Sequence, residues 1–89
     1  FVVALDERGR EWSSTELAGW IDEQQNRSVS HITFILGGPD GLEDELRKSA
    51  QRVWALGRLT LPHEMARLVL FEQLYRAGCL LNGHPYHRD

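Results

Sequence analysis

The sequence has 89 residues, of which 42% are hydrophobic and 26% charged, with a net charge of −3. That is ordinary composition for a single globular domain, residues 1–89, and it excludes a disordered tail, a collagen-like chain and a low-complexity linker. No apolar run approaches the ~18 residues of a membrane span, no signal-peptide pattern opens the chain, and the single Cys79 excludes an internal disulfide framework. A reduced, cytoplasmic protein with no membrane partner is the simplest reading.

Phe1 to Leu5 is a continuous apolar run, the pattern of a strand buried on both faces. It reads as a strand already under way, as if the N-terminal part of a larger protein preceded it or the chain borrowed a partner's surface. Residues 6–11 form a polar turn centred on Gly9. Ser13 and Glu16 have the spacing of a capping box, Trp12 and Leu17 that of a hydrophobic staple, and a helix follows to about Gln25 with Leu17, Trp20 and Ile21 on its buried face. His31 to Leu36 is a second strand, ended by Gly37-Gly38-Pro39-Asp40-Gly41. A short helix from about Leu42 to Ala50 has acidic residues in its first turn and basic ones in its last, which suits the helix dipole. Arg52 to Leu56 is a third strand, and Gly57 to Leu61 the loop that leaves it. Pro62 suits the first turn of a last helix that runs to about Leu81 and is apolar around most of its circumference. Such a helix is buried or contacts a second chain. The order β-α-β-α-β-α predicts an α/β fold with a parallel sheet, three strands and three helices. Ligands of such sheets lie beyond the carboxyl ends of the strands, here Leu5-Asp6, Gly37 to Pro39 and Leu56 to Leu61.

Charge is divided unevenly. Residues 1–45 hold 3 basic and 10 acidic groups, whereas residues 46–89 hold 7 basic and 3 acidic, nearly all the basic groups being Arg. The second half suits a polyanion, although the two halves can equally pair with each other. The glycine loop lacks the Gly-Lys-Ser/Thr and Gly-x-Gly-x-x-Gly phosphate patterns, and Glu43 to Glu45 would repel phosphate. A plain tight turn and a loop admitting a flat, uncharged group such as an adenosine both fit it. His84, His87 and His63 do not make a metal cage, because no carboxylate or thiolate partner accompanies them. His63 reads as a helix-start residue with local hydrogen bonds, Cys79 as a packed thiol, Trp54 as core, and Glu72–Arg76 as an i, i+4 ion pair. In the tail, Tyr86, His87 and Arg88 combine an aromatic face, a group titrating near neutrality and a fixed cation. A frayed polar terminus is the other reading of the same residues.

Four ordered segments resemble one family: Leu36 to Leu42 its glycine loop, Leu59-Thr60-Leu61-Pro62-His63 its second loop, Glu72 to Ala77 its last helix, and Asn82 to Arg88 its closing tail. The family is the ribosomal RNA large subunit methyltransferase H family of small SPOUT-class enzymes. The resemblance implies a parallel-sheet SPOUT-type fold with a C-terminal trefoil knot, a homodimer, and methylation of N3 of a pseudouridine in large-subunit (23S) ribosomal RNA with S-adenosyl-L-methionine. The cofactor contacts it implies are Leu5, Gly37, Gly38, Gly57, Arg58, Leu59, Thr60, Leu61 and Pro62, with Tyr86, His87 and Arg88 facing the RNA. Gly57 and Arg58 stand where small polar residues are common in the family. Positioning supplies much of an in-line methyl transfer. The N3 proton must also leave, and His87 or Tyr86 could assist while Arg88 stabilises the developing anion. Family members carry a further half-domain ahead of the strand at Phe1, so an N-terminally truncated member is expected. The alternative function is a truncated knotted module that binds cofactor or RNA without turnover.

Overall fold

The computed structural model describes residues 1–37 and 43–86. Gly38, the expected start of the second helix at Leu42, His87 and Arg88 lie outside the described residues. Val2–Glu11 (β1) is the middle strand of a parallel three-stranded sheet, flanked by Thr33–Leu36 (β2) and Arg52–Ala55 (β3) in the order β2-β1-β3. The helices Ser14–Asn26 (α1), Asp44–Ser49 (α2) and His63–Leu81 (α3) complete the expected alternation. Val3, Ala4 and Leu5 are buried, as the unbroken apolar run requires of a strand with neighbours on both edges.

β1 departs from the expected five-residue strand and polar turn. It runs to Glu11, but its register with β3 slips: Leu5 and Arg10 both face Trp54. The residues between them bulge out of the ladder, and two local features hold the bulge. Arg8 grips the Asp6 carboxylate with Nε and Nη2, each at 2.8 Å, while its backbone N–H donates to the same group at 2.9 Å. This bidentate, charge-assisted pair holds the Asp6 carboxyl down at about 2, below its usual 3.8. Gly9 then passes so close to β3 that a Cβ there would lie 2.6 Å from the carbonyl carbon and oxygen of Val53. Only glycine permits that approach.

α1 starts as its sequence predicts. The Ser13 hydroxyl accepts from the Glu16 N–H at 3.1 Å, and the Glu16 carboxylate accepts from the Ser13 N–H at 2.9 Å. Trp12, just before the cap, lies with its ring 5.2 Å from that of Trp20 and 5.5 Å from that of Trp54. The core joins Val3 and Leu5 of β1, Leu17, Ala18 and Trp20 of α1, Trp54 of β3, and Leu70 and Ala77 of α3. Each fully buried large side chain in it is worth roughly 1.5–3 kcal/mol. α3 packs on α1, where the Ser14 hydroxyl donates to the Gln73 side-chain oxygen at 2.5 Å. The opposite side of α3 leaves Met65, Leu68, Phe71 and Tyr75 exposed. The nearly continuous apolar circumference thus divides into a packed face and an uncovered stripe.

Candidate active site

Parallel pairing puts all three strand ends at one edge. Leu5 sits in register with Leu36 of β2 and Trp54 of β3, so Gly37 and the loop 56–62 emerge beside the β1 bulge. Two side-chain hydrogen bonds join these segments. The Thr60 hydroxyl donates to the Glu7 carboxylate at 2.8 Å, tying the loop after β3 to the bulge. His63 Nδ1 lies 2.7 Å from the Gly37 carbonyl oxygen, tying the start of α3 to the end of β2. His63 therefore bonds a residue distant in sequence and not a local one, which corrects the expectation of purely local bonding.

Of the expected cofactor contacts, Leu5 is a buried wall, while Gly37, Gly57 and Leu61 are half-buried. Arg58, Leu59, Thr60 and Pro62 are exposed, and Leu59 retains 78% of its surface. Gly57 has φ +154° with no atom within 4 Å of a hypothetical Cβ, so the backbone turns there beside open space. The edge offers the apolar side chains of Leu5 and Leu61 and the Glu7 carboxylate, the Asp6 charge being matched by Arg8, and it suits an uncharged ring better than a phosphate. The chemistry of these residues fits an S-adenosyl group.

The tail is anchored elsewhere on α3. After Leu81 the chain turns at Gly83 (φ +72°), and the His84 N–H donates to the Cys79 carbonyl at 2.8 Å. The Tyr86 ring then settles between two residues of α3. Its centroid is 4.9 Å from that of Tyr75, at 80°, and the Arg76 guanidinium carbon lies 4.9 Å from it. The Tyr86 hydroxyl donates to Glu72 at 3.4 Å. Glu72 in turn accepts from Arg76 Nε at 2.9 Å and raises the Arg76 pKa. The i, i+4 pair read from sequence is present, and it also cradles the tail. Along the helix axis, Glu72 lies about 14 Å from His63 at 1.5 Å per residue. Within one chain, Tyr86 and the strand-end loops are thus held at different levels of α3.

Sequence reasoning assigned no role to Glu7 or to the Asp6–Arg8 pair. Nor did it anticipate an open cleft of about 510 Å³ lined by Arg10, Trp12, Glu16, Trp20 and Arg52, among others, which includes none of the expected site residues. Among the described residues no group of three or more His, Cys, Asp or Glu could hold a metal ion, and no helix is long and apolar enough to cross a membrane.

Gly37 and the loop 56–62 thus meet at the carboxyl edge of a parallel α/β sheet packed by a long helix, and comparison with known proteins puts this chain among the SPOUT methyltransferases. The family model described as "Predicted SPOUT methyltransferase" matches residues 1–87, and the chain belongs to that family. Among its curated relatives, the ribosomal RNA large subunit methyltransferase H of Thiobacillus denitrificans is 49% identical over 87 residues, 98% of this chain and 55% of that protein. The protein of the same name from Deinococcus deserti is 52% identical over 98% of this chain and 60% of its own length. That from Polynucleobacter asymbioticus is 52% identical over 99% and 59%. The chain thus spans 55–60% of the length of these relatives.

Proposed function

We propose that the protein carrying this chain methylates N3 of a pseudouridine in large-subunit ribosomal RNA, with S-adenosyl-L-methionine as methyl donor. The observation that carries the reading is the convergence of Leu5, Gly37 and the loop 57–62 at one sheet edge, stitched by Thr60–Glu7 and His63–Gly37. Family membership and the shared printed name of the relatives support it.

When bound, S-adenosyl-L-methionine supplies an electrophilic methyl group. The chain's own residues do the rest. Leu5 and Leu61 would wall the adenosine, and backbone groups at Gly37, Gly38 and Gly57 to Pro62 would hydrogen-bond it, glycine at such positions allowing close approach. His87, or Tyr86 as it passes its own hydroxyl proton to Glu72, would accept the N3 proton, and Arg88 would stabilise the anion that remains. The loops are threaded as a trefoil knot in a single domain over residues 1–89. Two copies pair through the exposed stripe of α3, Met65, Leu68, Phe71 and Tyr75. The separation between Tyr86 and the strand-end loops along α3 favours this arrangement, because one subunit's tail then serves its partner's cofactor. A cytoplasmic location goes with this substrate.

The test supplies the full-length protein and S-adenosyl-L-methionine, labelled in the methyl group, to large ribosomal subunits lacking the modification. Label is expected on a pseudouridine of 23S RNA, at N3 by mass spectrometry. Tight cofactor binding with no label transferred would favour the module without turnover. Absence of both binding and transfer would overturn the reading.

A further inference from the structure

We infer that His63 is a positioning residue that clasps the two cofactor loops together; this rests on the cofactor site proposed above. His63 is the first residue of α3, directly after the loop 57–62. The helix start closes by the Ala66 N–H donating to the Pro62 carbonyl at 2.9 Å, and no side chain caps it. The imidazole instead reaches across to Gly37, the residue at which β2 leaves the sheet, at 2.7 Å.

The chemistry of the pair fixes the proton. A carbonyl oxygen only accepts, so Nδ1 carries the hydrogen. The neutral ring and the imidazolium both satisfy that condition, and the clasp persists in either state. A strand-end carbonyl without such a donor would turn to water and release the end of β2 at Gly37. The Thr60–Glu7 bond ties the same loop to β1 but leaves β2 untouched. His63 alone, among the described side-chain hydrogen bonds, links the loop after β3 to the end of β2. The side chain does not need to touch the cofactor to act. It sets the distance between two segments that do.

Three variants of the full-length protein separate the possibilities, with S-adenosyl-L-methionine as the probe in calorimetry. His63→Phe keeps an aromatic ring and removes the donor. His63→Asn places an amide N–H near the former Nδ1. Gly37→Val blocks the pocket itself. The clasp predicts roughly tenfold weaker binding for His63→Phe, the loss of about one charge-neutral hydrogen bond. His63→Asn should recover to within about threefold of wild type, since a donor is restored. In steady-state assays His63→Phe should raise KM for the cofactor and leave kcat at saturation nearly unchanged. Hydrogen exchange at residues 57–62 should quicken in His63→Phe and not in His63→Asn, which keeps the test decisive even if the phenylalanine variant is less stable. Wild-type affinity in His63→Phe together with lost binding in Gly37→Val would overturn the clasp and leave the cofactor site standing. Equal weakening by Asn and Phe would also overturn it. Wild-type affinity in Gly37→Val would remove the site and the clasp with it.

Discussion

Replacing Gly9 with Ala tests the bulge that lets β1 run past Leu5. The added Cβ would meet the Val53 carbonyl carbon and oxygen at 2.6 Å and the Trp54 nitrogen at 2.8 Å. All three are backbone atoms of β3, so no side chain can swing away to relieve the clash. Either the two strands separate or the bulge refolds. Forcing a methyl into packed surroundings of this kind costs about 1–3 kcal/mol, and a domain of this size shifts its melting temperature by about 4–8 °C per kcal/mol. Trp12, Trp20 and Trp54 lie in one ring cluster against β3, so tryptophan fluorescence during thermal or urea unfolding reports the region directly. Gly19 is the internal control. It is exposed in α1 with nothing within 4 Å of a hypothetical Cβ, and Gly19→Ala should stabilise by roughly 0.5–1 kcal/mol through helix propensity. Opposite signs for the two substitutions are expected. A Gly9→Ala protein that melts as wild type would refute the close approach of β1 to β3.

Asp6 should contribute a pH-dependent share of stability. Its carboxyl is held by Arg8 at about 2 against an ordinary 3.8, so the stabilisation is present above about pH 4 and disappears as pH falls toward 2. Discounted for screening around the half-exposed Arg8, it amounts to on the order of 1 kcal/mol, and Asp6→Asn should flatten that part of the acid-unfolding curve. Phe71→Glu in the exposed α3 stripe should shift sedimentation toward monomer; wild-type protein that stays monomeric at tens of micromolar, roughly where a micromolar interface would be populated, would contradict self-association. Arg88→Ala should slow methylation about ten- to a hundredfold, the loss of a charge-assisted contact, with cofactor affinity nearly unchanged; wild-type turnover would remove Arg88 from the mechanism. Tyr86→Phe keeps the ring on Arg76 and Tyr75 and should retain more activity than Tyr86→Ala, and equal loss in both would show that the hydroxyl matters more than the anchor.

Local chemistry was legible in the sequence. The capping box at Ser13 and Glu16 involves neighbours three residues apart, and the structure forms both of its bonds. The apolar run at Phe1 and the extent of α3 are likewise patterns within one segment. What escaped depends on partners distant in the chain. The bulge reads as a plain polar turn until the Val53 backbone is brought against Gly9. His63 looks like an ordinary helix-start residue because its acceptor is a carbonyl, and a carbonyl leaves no trace in residue identity. The tail offered aromatic and charged residues, but its cradle of Glu72, Tyr75 and Arg76 is defined only once the chain turns back at Gly83. Asp6 and Arg8 held a usable signal, opposite charges two residues apart before a glycine, which marks a gripped bulge as readily as a solvated turn.

The placement of β1 between its two neighbours has a kinetic consequence. Val2 pairs with Thr33 and Val3 with Arg52, so every rung of the sheet joins residues some 30 to 50 positions apart. No hairpin can form early and template the rest. Until the segments 33–36 and 52–55 reach it, β1 lacks both of the sheet partners it has here. Closing such large loops before any ladder contact repays the lost entropy raises the folding barrier. Slow closure of this sheet, with α1 helicity appearing ahead of tryptophan burial, is the signature that this strand order imposes.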